Sequence, residues 1–495
     1  MPKTKREFAL AGLKLDASAK KSLYLQLYEA LRQAILEKQL RPGEQLPPTR
    51  ELATDLSVSR TTVLLAFDHL LSEGYIEGKS GAGTFVSETI PEDLLEVCTD
   101  SVAKTAPFSV LPKISGRGER IKRVSVFTRK MRVNLQPFRP GIPALREFPQ
   151  QLWTKLLARE SRTISMETLG YGDPCGFRPL REAIADYLRI SRAVRCDADQ
   201  VIITNGSQQA IDLVNRVLLD EGEAAWTEEP GYSGFKESVA SLGGRLIPVK
   251  VDEKGLCTTT GNAADPAARL AYVTPSHQYP LGVTMTLSRR IQLLDWAAKS
   301  RAWILEDDYD SEYRYTGHPI SSLQGLDRNG CVIYMGTFSK VLFPGLGLGY
   351  LVVPHSLVDA FVSARSLSER QGSVITQATL AAFIEEGHFA RHIRQMRMLY
   401  HERREMLLAA LDRDLGGALS IFPTETGLQV TAKLHRGSDL DLTEKAAKIP
   451  LDVRALSTYY HDEKQSVNGI VLGFAAFDET EIANGVQSLA KLISG

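Results

Sequence analysis

Cysteine is scarce in this 495-residue chain: Cys98, Cys175, Cys196, Cys257 and Cys331 are odd in number, widely scattered and never in a CxxC pair. That excludes a disulfide framework and a cysteine zinc site and points to reduced thiols. Long apolar runs are missing too. No stretch approaches the roughly 18 consecutive apolar residues of a membrane helix, and the N-terminal MPKTKREFALAGLKLDASAKK has no apolar signal core. The expectation is a soluble, cytoplasmic protein without a membrane partner. A surplus of one charge is also absent, with 59 Lys and Arg against 59 Asp and Glu. At face value that argues against nucleic acid, whose phosphates attract surplus cations. The total hides a split, however. Up to Val133 there are 21 basic and 16 acidic residues, a net +5, so the remainder carries −5. Apolar residues at 43% and charged residues at 24% remove disorder, collagen and coiled-coil rods. At about 100 to 200 residues per domain, the length favours two or three domains.

The front of the chain reads as a small helical module. Tyr24, Leu27, Tyr28, Leu31, Ala34 and Ile35 recur at three- and four-residue steps, the mark of one buried helix face. The string RPGEQLPP ends that helix, because its prolines cannot continue it. A second short helix fits Thr49 to Leu56, and a third starts after Ser59, whose hydroxyl can cap its first turn. Arg60, Thr61 and Thr62 then stand exposed on that turn. YIEGKSGAGTFV reads as two short strands around a glycine-rich turn with Lys79 near its tip. Helix spacing alone favours a three-helix capping domain over a DNA reader.

The full string PGEQLPPTRELATDLSVSRTTVLLAFDHLLSEGYIEGKSGAGTFV resembles the winged helix-turn-helix of the GntR family. The resemblance implies a double-stranded DNA partner contacted by Arg50, Arg60, Thr61, Thr62, Lys79 and the wing residues Gly81, Gly83 and Thr84. Arginine can read a guanine edge, whereas threonine and Lys79 suit phosphates. Residues 87–133 have few periodic apolar stretches and read as a linker. From Ser101 to Val133 it holds nine basic residues and one acid, Glu119, a run that is either a solvated face or an auxiliary contact to the DNA backbone.

The remainder alternates strands and helices. Short β-branched runs recur at 201–204, 245–251, 269–274, 302–307, 331–336 and 349–353, with helical patterns at 178–190, 207–219 and 288–299. Such alternation predicts an α/β domain with a mostly parallel sheet, whose ligands sit at the strand ends. Five strand ends carry polar chemistry. GSQQAID opens a helix at Ser207 and Gln208, where free N–H groups attract a phosphate or simply receive an N-cap. PGY places Tyr232 after a strand, as a packing ring or as the cover of a planar ligand. TPSHQYPLG is a polar loop. DDYDSEYRY completes five acids between Glu306 and Glu312 but lacks the glycine and terminal glutamate of a calcium loop, so no metal site is expected. GTFSKVLFPG sets Lys340 beyond another strand.

In this order and spacing, the five segments resemble the fold-type I aminotransferases that bind pyridoxal 5'-phosphate. Joined to a GntR-type winged helix, they resemble the MocR/GabR subfamily of bacterial transcription regulators. The resemblance implies three segments: a winged helix at 1–86, a basic linker at 87–133 and an aminotransferase-like domain at 134–495. Lys340 matches the lysine that takes the cofactor covalently, a task that needs a partly neutral amine. Asp307, 33 residues earlier, matches the carboxylate that pairs with the pyridine nitrogen, and Tyr309 matches the phenol on the ring oxygen. Ser207, Gln208, Thr337 and Ser339 match the phosphate cradle, and Tyr232 the stacking ring. Tyr171 matches the tyrosine that reaches a neighbouring subunit's phosphate, which implies a homodimer.

Three positions depart from the relatives. PGLGLGY puts Gly347 where an arginine usually holds phosphate, so a charge-assisted contact is lost. NGIVLGF puts Val471 where an arginine clamps the substrate carboxylate, and Tyr279 replaces the asparagine of an NPTG turn. Two readings follow. One is a transcription regulator that senses pyridoxal phosphate itself or an amine through its aminotransferase-like domain. The other is a competent aminotransferase that also binds DNA. Loss of the clamp favours the first, since orienting the substrate is much of catalysis.

Overall fold

The computed structural model describes residues 15–91 except 20 and 80, 113–124, and 135–494 except 318, 319 and 424. The chain divides into two compact units, Met1–Lys113 and Ile114–Gly495.

In the first unit, helix α1 (Leu23–Leu36) buries Leu27, Leu31, Ala34 and Ile35 along one stripe. Helix α2 (Thr49–Asp55) starts directly after Pro48, whose fixed φ suits a helix entry. Helix α3 (Arg60–Ser72) is capped by Ser59, whose hydroxyl accepts from the Thr62 N–H at 3.1 Å. A cap of this kind is worth about 1 kcal/mol. Val63, Ala66, Phe67 and Leu70 of α3 meet Leu27, Leu31 and Leu52 in the core. Strands β1 (Ile76–Lys79) and β2 (Gly83–Val86) pair antiparallel, Lys79 opposite Gly83. Gly81 and Gly83 have φ of +75° and +110°, the region the turn between the strands demands and glycine adopts without strain. The stretch before α2 braces this wing: Leu46 N–H donates to the Thr84 carbonyl and Val86 N–H to that of Glu44.

In the second unit, eight strands form one sheet in the order β3 (Val201–Thr204), β10, β9, β8, β7, β4 (Ala224–Glu229), β5 (Arg245–Asp252) and β6 (Gly255–Leu256). The intervening strands are β7 (Leu270–Val273), β8 (Trp303–Asp308), β9 (Val332–Thr337) and β10 (Gly349–Val352). From β9 to β5 the neighbours run parallel; β10 is antiparallel to both β3 and β9. Strands β3, β4, β7, β9 and β10 are buried along their whole length, which is why they read as apolar runs rather than alternating ones. Because β4 is followed by β5 on one side while β7 joins on the other, the parallel strands open a crevice at their C-terminal ends. Lys340 follows β9, Tyr309 follows β8, and Tyr232 follows β4.

A smaller antiparallel sheet comprises β11 (Leu419–Ile421), β12 (Gln429–Leu434), β13 (Arg454–Ala455) and β14 (Gly469–Gly473) in the order β11, β12, β14, β13. It shares a core with the long helix His388–Leu415 and the final helix Glu479–Ser494. Within the span expected to be a linker, residues 116–124 form a helix that packs against helix Ser233–Leu242 and sets Arg120 3.0 Å from Glu221. Residues 92–112 and 125–133 of that span lie outside the described residues, as does Cys98. The other four cysteines are free.

Candidate functional site

The ends of β8 and β9 bring two of the sequence-identified groups together. Asp307 is 5% exposed, and its Oδ2 accepts from the Tyr272 hydroxyl at 2.6 Å. Among the described residues its Oδ1 has no hydrogen-bond partner. An orphaned buried acceptor costs on the order of 1–3 kcal/mol, which a ring N–H seated there would recover. Burial pushes the Asp307 carboxyl up to about 7, against the Tyr272 hydrogen bond and with repulsion from Asp308, Asp310 and Glu228. A cationic pyridine nitrogen would reverse that shift.

Lys340 donates from Nζ to the Gly141 carbonyl at 2.8 Å. Burial lowers its pKa below the usual lysine value, while Asp310 and Asp307 oppose the shift and Arg139 reinforces it. The result is an amine with a larger neutral, nucleophilic fraction. Tyr309 sits 3.0 Å from His277 Nδ1, which also lies 2.9 Å from Asp310 Oδ1. One ring N–H shared between carboxylate and phenol oxygen leaves the phenol's own hydrogen for a further acceptor. These features fit pyridoxal phosphate: an acceptor for the ring nitrogen, a donor for the ring oxygen and an amine of lowered basicity.

The anion side lies at the start of helix Gly206–Leu218, whose second residue is Ser207. A Cβ on Gly349 would stand 3.0 Å from the Gly206 carbonyl carbon, so the helix start rests on the beginning of β10, beside Thr337 across the ladder. Thr337 Oγ1 accepts from the Ser339 N–H at 3.2 Å. Gln208 is exposed, and its Nε2 donates to the Gly234 carbonyl at 3.0 Å, tying this helix start to the first turn of helix Ser233–Leu242, which Tyr232 precedes. Gly347 adopts φ +63° at the end of a short turn Pro344–Leu346, and a Cβ there meets nothing within 4 Å. A Cβ is unobstructed at Gly347, so the left-handed backbone angle is what favours glycine there.

Tyr232 meets the Tyr279 ring edge-on at 6.1 Å, and Tyr279 meets Tyr309 at 5.9 Å and Tyr459 at 5.3 Å. Tyr171 stays outside this cluster, 85% exposed, with the Arg370 guanidinium 5.1 Å over its ring. Val471 is buried with Leu281, Val283, Leu456 and Tyr459. Tyr272, His277, Asp310, Gly141 and Tyr459 were missed as site residues in the sequence. The polar loop TPSHQYPLG hinted at His277, and the acidic run at Asp310; Gly141 and Tyr459 gave no local signal.

In the first unit, Arg50, Arg60, Thr61, Lys79, Gly81 and Gly83 are exposed, and Thr62 and Thr84 are half-buried. Thr62 Oγ1 lies 2.8 Å from Ser59 Oγ, so part of its bonding capacity serves the cap. Lys79 sits 3.0 Å from Glu77 and over the Phe85 ring.

Residues 23–86 match the model of bacterial regulatory proteins of the gntR family, and residues 146–458 match that of aminotransferase class I and II. Fold and site thus define a class: a winged-helix regulator carrying an aminotransferase-fold unit. The chain is 41% identical over 96% of its length to the probable rhizopine catabolism regulatory protein MocR of Rhizobium meliloti, covering 95% of that protein. It is 31% identical to the pyridoxine biosynthesis transcriptional regulator PdxR of Corynebacterium glutamicum, over 96% of each chain. Among solved structures, α-aminoadipate aminotransferase LysN of Thermus thermophilus matches with a TM-score of 0.70 and 28% identity, over 77% of this chain and 97% of that one. The chain belongs to the MocR-type branch of the gntR family, DNA-binding transcription regulators that use pyridoxal phosphate.

Proposed function

We propose that the aminotransferase-fold unit is a sensor, in which pyridoxal phosphate or an amine acting at it changes DNA binding by the winged helix. The observation that carries this is the unpartnered Oδ1 of buried Asp307, an acceptor kept ready for a ring N–H beside a lysine of lowered basicity. Asp307 would hold the ring nitrogen, Tyr309 the ring oxygen, Ser207, Gln208, Thr337 and Ser339 the phosphate, and Tyr232 the ring face. Bound there, the cofactor supplies an electrophilic carbon to which an amine can attach. Lys340 provides the amine, whose basicity burial lowers; the aromatic rings of Tyr232, Tyr279 and Tyr309 limit water.

Arg50, Arg60 and Thr61, all exposed, would contact DNA together with Thr62 and the wing residues Lys79, Gly81, Gly83 and Thr84. Exposed Tyr171 suits a role in a homodimer, supplying its phenol to the partner's phosphate. The names of the relatives tie this architecture to catabolism of a small molecule and to pyridoxine biosynthesis, which matches the two kinds of effector, an external amine or the vitamer. Among the described residues no helix is long and apolar enough to cross a membrane, in keeping with action in the cytoplasm. Buried Val471 at the clamp position weighs against an efficient transaminase.

Single-turnover mixing of the cofactor-loaded protein with amines decides between sensor and enzyme. The sensor reading expects a reversible absorbance change without keto-acid release. Sustained keto-acid formation would establish the enzyme instead.

A further inference from the structure

The wing is wider than its two strands. Before α2 the chain runs along β2: the Gly43 N–H donates to the Val86 carbonyl at 2.9 Å, the Val86 N–H to the Glu44 carbonyl at 2.8 Å and the Leu46 N–H to the Thr84 carbonyl at 2.9 Å. Gln45 stands opposite Phe85 in this antiparallel bridge. Phe85 in turn stands opposite Glu77 in the β1–β2 ladder, and Gly83 opposite Lys79. Residues two apart on a strand, and those directly across from one another, share a face. Gln45, Phe85, Glu77, Lys79 and the bare position of Gly83 therefore lie on one face, while Ile76 and Val86 on the other enter the core.

A Cβ on Gly83 would stand 2.9 Å from Gln45 Nε2, so the missing side chain leaves the space that the Gln45 amide crosses. From there Nε2 donates to the Ala82 carbonyl at 2.7 Å, at the tip of the turn, which is closed by the Ala82 N–H donating to the Lys79 carbonyl at 2.9 Å. Glycine at 83 thus serves both its φ of +110° and this clearance. Beside it, the Lys79 ammonium lies 5.2 Å over the Phe85 ring and 3.0 Å from Glu77. Gly81, Ala82 and Gly83 are exposed, so packing does little to hold the tip. An isolated two-stranded hairpin is marginal in water, and its tip keeps one shape only where something outside the hairpin restrains it. Gln45 reaches that tip from 37 residues away in the sequence.

We propose that Gln45 is a positioning residue for DNA binding: its amide, laid over Gly83 and bonded to the Ala82 carbonyl, fixes the wing tip so that Lys79 is delivered to a backbone phosphate. This rests on the reading of the wing as a DNA contact and extends it to a residue outside the hairpin. A tip ordered before binding spares the complex an ordering cost that association would otherwise carry. The amide is neutral and bonds to the protein's own backbone, so its removal can alter the salt dependence of binding only through the lysine it positions.

The test uses the full chain and a DNA fragment that it selects, with affinity measured between about 50 and 200 mM salt for the wild type, Gln45→Leu, Lys79→Ala and the double variant. Lys79→Ala should weaken binding and reduce the slope of log affinity against log salt by about 1. Gln45→Leu should weaken binding about 3- to 10-fold and reduce the slope in the same direction. The double variant should bind within about twofold of Lys79→Ala alone, because the lysine that Gln45 positions is already gone. Gln45 is exposed, so the thermal melting of Gln45→Leu should match that of the wild type and separate loss of position from loss of fold. Unchanged affinity in Gln45→Leu beside a weakened Lys79→Ala would overturn the positioning role and leave the wing reading standing. The same holds if the two losses add in the double variant and Gln45→Leu keeps the wild-type slope, since Gln45 would then touch the DNA itself. Unchanged affinity and slope in Lys79→Ala would overturn both.

Discussion

The two units of this protein build function in opposite ways. In the winged helix, the residues read as DNA-facing lie within one contiguous stretch from Arg50 to Thr84, mostly exposed, on elements fixed by local rules such as the Ser59 cap and the Gly81–Gly83 turn. In the aminotransferase-fold unit the site is assembled from afar: Lys340 bonds to Gly141, 199 residues away, and the Asp307 carboxylate is buried with an unpartnered oxygen. The first can change its reading residues at little cost to the fold. The second holds charged groups in low dielectric, so its function is tied to stability and pH.

The largest effect that bears on this contrast is expected from Lys340→Ala. The visible absorbance of the bound cofactor should vanish while the winged helix keeps its fold; an unchanged spectrum would remove the lysine from its assigned place. Next is Arg60→Ala, expected to weaken binding to a selected DNA fragment by about 1–3 kcal/mol with no change in spectrum or melting temperature. A large fall in melting temperature would show that the exposed face is not independent of the core.

A smaller effect distinguishes the buried site by its pH dependence. In the folded protein without cofactor Asp307 keeps its proton up to about pH 7, and in the unfolded chain it loses it near about pH 4. Its contribution to stability is therefore full below about pH 4 and is lost as pH rises to about 7. Asp307→Asn has no proton to lose, so its melting temperature should gain on that of the wild-type apoprotein between about pH 4 and pH 7. A pH-independent difference would place Asp307 in a more solvated setting. The smallest change is Gly347→Arg. A non-glycine residue at φ +63° should cost about 1–2 kcal/mol of stability, while the added guanidinium slows release of the cofactor. Faster release would mean that the new side chain does not reach the phosphate.

The same contrast explains what the sequence revealed. The helices around Leu27, Leu52 and Val63 and the strands from Val201 to Val352 were legible because burial on one face, or on both, leaves a periodic or continuous apolar pattern. Lys340 and Tyr309, which each follow a strand, and Asp307, which lies near the end of β8, were picked out by the resemblance rather than by any pattern of their own. The helix Gly116–Val124 was not legible, since it buries no residue and its composition is mostly charged. Nor was the second sheet, whose strands β11 and β13 have three and two residues. Tyr272 reads as one more apolar strand position, although its hydroxyl is the partner of Asp307.

The central claim is that the buried site governs the exposed one. Its most direct test is the affinity of the full chain for a DNA fragment that it selects, measured with and without pyridoxal phosphate, for the wild type and for Lys340→Ala. The account predicts that the cofactor shifts wild-type affinity several-fold and leaves the variant unmoved. Equal affinities in all four measurements would contradict it.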